Sequence, residues 1–191
     1  MPGPVLHRGR RLLAFVAATV VMVGASASTS GSFTVESVNT ELVDGVYRLD
    51  ARLGLELSDV LLDALANGVD LHIDVDIEIL EPNDWWFDSE IAALSQRSVL
   101  SYYALSRSYV VRNLNTGVQT THPSLYSAVH EIGVVRDLPL LDASLLDQQK
   151  EYVARLRTRI AIEELPLPLR AQAYLSGDWS LSSEWYTWSL R

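Results

Sequence analysis

Hydrophobic and polar residues alternate one for one along much of this chain. From Val46 to Leu57, Tyr47, Leu49, Ala51, Leu53, Leu55 and Leu57 fall on one side. Arg48, Asp50, Arg52 and Glu56 fall on the other. A period of two over this length predicts a half-buried β-strand. Val69 to Leu80 repeats the pattern more strictly. Val69, Leu71, Ile73, Val75, Ile77 and Ile79 alternate with Asp70, His72, Asp74, Asp76 and Glu78, and Pro82 is the stop. Tyr152 to Ile162 is a third such strand. Its inner set is Tyr152, Ala154, Leu156, Thr158, Ile160 and Ile162, and its outer set includes Arg155, Arg157 and Arg159.

Turn and cap signals fill the gaps. Phe33 to Leu42 has strand composition, and the Asp44-Gly45 pair after it is a strong hairpin signal. Ser58 is placed to cap a short helix through Val60, Leu61, Ala64 and Leu65, closed by Gly68. Ser95 to Leu105 reads as a strand. Tyr109 to Arg112 and Val118 to Thr121 form a hairpin around Asn113 to Gly117. Ser124 caps a second helix, Leu125 to Ile132, ended by Gly133. Ser144 to Gln149 reads as helical, and Leu169 to Tyr174 and Glu184 to Leu190 read as two strands. Many short strands and two or three short helices predict a mainly β fold. The architecture expected is an antiparallel β-sandwich with immunoglobulin-like layering, in a single domain over 33–191.

The N-terminus reads as an address. His7-Arg8-Gly9-Arg10-Arg11 is basic, Leu12 to Val23 is apolar except for Thr19, and Ala25-Ser26-Ala27 offers small residues at the cleavage positions. This is the pattern of a secretory signal peptide over 1–27, cut after Ala27, with a flexible linker over 28–32 and a periplasmic destination. An uncleaved anchor is the alternative, although a spanning helix wants about 20 apolar residues. No later stretch approaches that length. Lipoprotein attachment needs a cysteine, and the chain has none.

Charge and composition narrow the chemistry. The chain has 24 Asp and Glu against 15 Lys and Arg, a net charge of -9, which argues against a nucleic-acid partner. With no cysteine there is no disulfide, thiolate nucleophile or Cys-based zinc site. The leader carries Arg8, Arg10 and Arg11 and no acid, so its removal makes the remainder more acidic still.

The stripe of Asp70, His72, Asp74, Asp76 and Glu78 is tempting as a metal site. Same-face strand residues lie about 6.6 Å apart, at about 3.3 Å rise per residue. Calcium needs its oxygens at about 2.3–2.6 Å from one point, so a straight strand cannot converge them. The better reading is a solvated face whose Asp74, Asp76 and Glu78 stack against Arg155, Arg157 and Arg159 of a neighbouring strand, fixing the register. No metal ligand set, cofactor motif, phosphate-binding loop or nucleophile elbow is present, and no residue is assigned as catalytic. His122 and His130 lack the spacing of a triad, and a pair of glycosidase carboxylates is neither identified nor ruled out.

Aromatic residues form the remaining cluster. Trp85, Trp86 and Phe87 follow the acidic strand, and Trp179, Trp185 and Trp188 crowd the C-terminus. They read either as lids on an open core or as a binding surface for a sugar or a protein. Within the block, Trp86 is expected in the core and Trp85 on the exposed side of the loop.

The Trp85-Trp86-Phe87-Asp88 block, Tyr103-Ala104-Leu105 through Tyr109 and the Asn113-Leu114-Asn115-Thr116-Gly117 turn resemble an uncharacterised family of exported proteobacterial proteins, the domain-of-unknown-function family numbered 4390. Leu165 to Arg170 and Trp179 to Trp188 match it as well. The resemblance implies a signal peptide, an envelope location and genes beside a membrane sensor kinase of the nitrogen-regulation type. It supplies no catalytic residues. The function expected is therefore a non-enzymatic periplasmic module binding an envelope protein, such as a sensor kinase. A glycan- or cell-wall-binding module and a hydrolase are the alternatives.

Overall fold

The computed structural model describes residues 30–83, 88–175 and 177–190. The order is β1 (Ser32–Val43), β2 (Val46–Glu56), α1 (Asp59–Ala66), β3 (Leu71–Glu81), β4 (Ser89–Tyr103), β5 (Ser108–Asn113), β6 (Gln119–His122), α2 (Leu125–Ile132), β7 (Val134–Asp142), β8 (Tyr152–Ile160), α3 (Leu167–Leu175) and β9 (Tyr186–Leu190). All pairings are antiparallel. A three-stranded sheet, β1-β2-β7, faces a six-stranded sheet, β6-β5-β4-β3-β8-β9. The expected mainly β, two-sheet architecture is present, with three short α-helices. No helix among the described residues is long and apolar enough to cross a membrane.

The alternating strands form the core as their patterns require. Leu49, Ala51, Leu53 and Leu55 of β2 face Leu71, Ile73, Val75, Ile77 and Ile79 of β3 and Ala154, Leu156 and Ile160 of β8, all buried in one cluster. Each such aliphatic side chain contributes about 1.5–3 kcal/mol by leaving water. Asp44 and Gly45 both adopt positive φ, 50° and 80°, as a tight primed hairpin turn needs. The Ser58 hydroxyl accepts from the Leu61 amide to cap α1 and donates to the Asp178 carbonyl, which ties the cap to the C-terminal segment.

Three expectations change, and one strand is new. The linker expected over 28–32 yields to the sheet earlier: β1 begins at Ser32, and Gly31 packs against the backbone of Glu56 and Ser58. Leu169 to Tyr174 is helical, not extended. Pro166 and Pro168 stand at the start of α3, where a missing amide costs nothing, and apolar composition alone does not tell helix from strand here. Ser144 to Gln149 contributes only part of one 3-10 turn, Ala143–Leu145. Strand β7 carries no sequence signal. It is an edge strand bearing Pro139, with Asp137 at φ 48° and two register shifts against β2, so its pattern has no period of two.

Candidate functional site

Three regions carry the chemistry. The first is the outer face of the six-stranded sheet. The β3–β8 register sets Asp74 opposite Arg159, Asp76 opposite Arg157 and Glu78 opposite Arg155, as the alternating charges required. Arg159 reaches Asp74 Oδ2 at 3.0 Å and Asp76 Oδ2 at 3.2 Å, and Arg157 reaches Asp76 Oδ2 at 3.3 Å. Arg155 Nε donates to Glu78 Oε2 at 2.8 Å. The Ser95 hydroxyl completes the shell of Asp76 at 3.1 Å. Burial pushes the Asp74 carboxyl above its ordinary value, against the pull of Arg159 and Arg97. The carboxylates of Asp74, Asp76 and Glu78 are spent on arginines, so this part of the stripe acts as a register lock, and Asp74 is buried where a solvated face was expected.

Trp185 lies on this ladder. The guanidinium carbons of Arg155 and Arg157 are 4.6 and 4.5 Å from its ring centre, and the ring is half-buried. The other candidate aromatics separate. Trp179 is 4% exposed and belongs to the core, and its indole N–H finds no partner among the described residues. Trp188 is half-buried and donates from Nε1 to Thr40 Oγ1 at 2.9 Å, joining β9 to β1. Trp85, Trp86 and Phe87 lie outside the described residues, as does the leader 1–27.

The second region is a cleft that the strand pattern did not announce. Three strands cannot cover six. Beyond β7 the inner face of β4 and β5 is bridged by α2, and beside α2 a cleft of about 420 Å³ remains. Gln96 and Ser98 stand opposite Val75 and Ile73, and Asn113 stands opposite Ser98, so these polar side chains share the core face. With Val75, Val111, Ile132 and Leu138 they line the cleft. The turn after β5 stiffens its rim: Asn115 Oδ1 accepts from the Arg97 amide at 2.7 Å, and Asn115 Nδ2 donates to the Ser95 carbonyl at 2.9 Å. Sequence reasoning missed this site because it missed β7. Polar residues interrupting the inner face of β4 were the available signal.

The third region is the contact of β6 with α2. His122 Nε2 meets Glu131 Oε2 at 2.8 Å and Thr120 Oγ1 at 3.0 Å, and Thr120 Oγ1 donates to Glu131 Oε1 at 2.7 Å. A catalytic triad sets its carboxylate and its nucleophile on opposite ring nitrogens. Here both partners meet the same nitrogen, which makes a brace between strand and helix. His130 points elsewhere, toward Tyr126, with ring centres 6.1 Å apart.

A family model described as Domain of unknown function (DUF4390) matches residues 30–189. No curated protein and no solved structure matches the chain.

Proposed function

The chain belongs to this DUF4390 family over residues 30–189, and from that premise we propose that it is a non-enzymatic interaction module of the bacterial periplasm that docks a protein partner, a membrane sensor kinase being one such partner. The cleft beside β7 carries the proposal. It is concave, it mixes apolar walls with a few polar groups, and its size suits side chains of a partner segment. Pro139 and the left-handed Asp137 make the β7 edge a poor template for strand addition. The partner therefore inserts side chains and does not extend the sheet. Periplasmic residence rests on the leader, and processing is expected to leave Ser28 as the first residue.

A photo-reactive amino acid at Leu138 or Asn113 tests the proposal. In envelope extracts these positions should capture one protein partner, whereas the same group at Glu41, on the far edge strand, should not. Capture only from Glu41, or none from the cleft, overturns it.

A glycan-binding reading is favoured by Trp185 alone. Its ring is held against two guanidinium groups, and an aromatic face fixed in this way suits a sugar ring. Titration with cell-wall and polysaccharide fragments should quench fluorescence in the native protein and not in Trp185→Phe. Equal quenching in both sinks this second reading.

A further inference from the structure

Where α2 meets β2 and β7, a hollow of about 290 Å³ is lined by Arg52, His130 and Arg136, with Ser37, Asn39 and Asp50. Arg136 also lines the cleft, so the two depressions share a wall. Arg52 pairs across the ladder with Val134, two residues before Arg136. The ladder is irregular just beyond this pair, between Leu49 and Ala51, and the two arginines line the same hollow.

Arg48, Arg97, Arg155, Arg157 and Arg159 each face a carboxylate. Arg52 and Arg136 make no ion pair among the described residues. Three of the nearby acids already accept hydrogen bonds. Asp50 Oδ1 accepts from the Asp137 amide at 3.1 Å, Asp137 Oδ1 takes Arg48 at 2.8 Å, and Glu131 holds Thr120 and His122. Glu36 lines the adjoining hollow with Arg52 and forms no ion pair with it.

We infer that this corner binds a carboxylate carried by the partner, an Asp or Glu side chain or a chain terminus, clamped between Arg52 and Arg136 while neighbouring apolar residues of the same segment enter the cleft. Guanidinium forks match carboxylates in geometry and give charge-assisted hydrogen bonds. The imidazole of His130 offers a further polar contact at the rim. This inference rests on the partner-binding reading of the cleft and adds the chemistry that the partner must present.

The test uses the native protein and a fluorescent peptide, Gly-Glu-Val-Glu-Val-Gly, acetylated and amidated at its ends, against the same peptide with Gln for Glu. The Glu peptide should bind about tenfold tighter, the size of one charge-assisted hydrogen bond, and should weaken with salt. Arg52→Gln and Arg136→Gln should each lose about tenfold, while Arg112→Gln, an exposed arginine on β5, should lose nothing. Equal binding of the two peptides overturns the inference. So does an equal loss in Arg112→Gln, or competition by inorganic phosphate at the same concentration as the Glu peptide. Undiminished partner capture at Leu138 in the Arg52→Gln, Arg136→Gln double variant overturns it while leaving the docking cleft in place. Absence of capture in the native protein overturns the cleft itself.

Discussion

Asp74 and Arg159 stand directly opposite each other on β3 and β8, with Oδ2 and Nη2 3.0 Å apart and only 3% of the Asp74 side chain exposed. Two arginines attend this carboxylate, yet burial outweighs them and its affinity for a proton rises above the ordinary 3.8. A raised carboxyl value means that the folded chain holds the proton more tightly than the unfolded one. Stability from this group is therefore present below 3.8 and falls as pH climbs through the raised value. Denaturant titrations of native protein and Asp74→Asn should show the native advantage shrinking from acid to neutral pH. A growing advantage would mean that the ion pairs dominate.

Glu163 supplies the opposite sign. Despite desolvation, a hydrogen bond to its own backbone amide and its pairing with Arg159 hold it below the ordinary 4.5. Its contribution is present above 4.5 and is lost as pH falls through the lowered value. Glu163→Gln should cost stability at neutral pH and nothing in strong acid. Parallel pH curves for native protein and variant would remove this assignment.

Gly31 is a packing position. A Cβ there would lie 2.4 Å from the Ser58 amide nitrogen and 2.5 Å from the Glu56 carbonyl oxygen. Backbone atoms cannot rotate away, so Gly31→Ala should destabilise by about 1–3 kcal/mol, the usual cost of overpacking. A thermal melt indistinguishable from the native one would mean that residue 31 belongs to the linker, as its composition suggested.

The legible and illegible parts divide along physical lines. Strict alternation in β2, β3 and β8 announces which face is buried, and opposite charges on β3 and β8 announce their neighbourhood, because side-chain period and register are properties of the strand itself. The caps at Ser58 and Ser124 are equally local. Edge strand β7 is not legible: a bulge and Pro139 erase its period, and its partner β2 lies far away in sequence. The cleft depends on how far one sheet overhangs the other, which no window of sequence contains.

The three described tryptophans of the C-terminal cluster differ in what they hold. Trp179→Ala should cost about 3–5 kcal/mol, as emptying a large core site does. Trp179→Phe should cost much less, since it keeps most of the ring and removes a buried N–H with no partner. Trp185→Ala should cost only about 1 kcal/mol, the scale of an exposed cation–π contact. Chemical denaturation of the three variants checks the order. A Trp185 loss as large as that of Trp179 would place Trp185 in the core.

Trp188 separates stability from binding. Its Nε1 donates to Thr40 Oγ1 at 2.9 Å, across 148 residues of sequence and from the β9 edge of one sheet to the β1 edge of the other. This strut closes the side of the sandwich away from β7, so it should steady the fold without shaping the cleft. Trp188→Phe removes the donor and keeps most of the ring, and Thr40→Val removes the acceptor and keeps the shape. Each leaves one polar group without its partner, at a cost of about 1–3 kcal/mol. The double variant removes both, so it should be less destabilised than the two single losses added together, with a coupling of about 0.5–1.5 kcal/mol. Additive losses would show that the contact carries no energy. Partner capture from Leu138 should be unchanged in all three variants, because Trp188 and the cleft lie at opposite edges of the three-stranded sheet. Loss of capture in Trp188→Phe, with stability intact, would make Trp188 a binding anchor and move the docking surface to the β1 side.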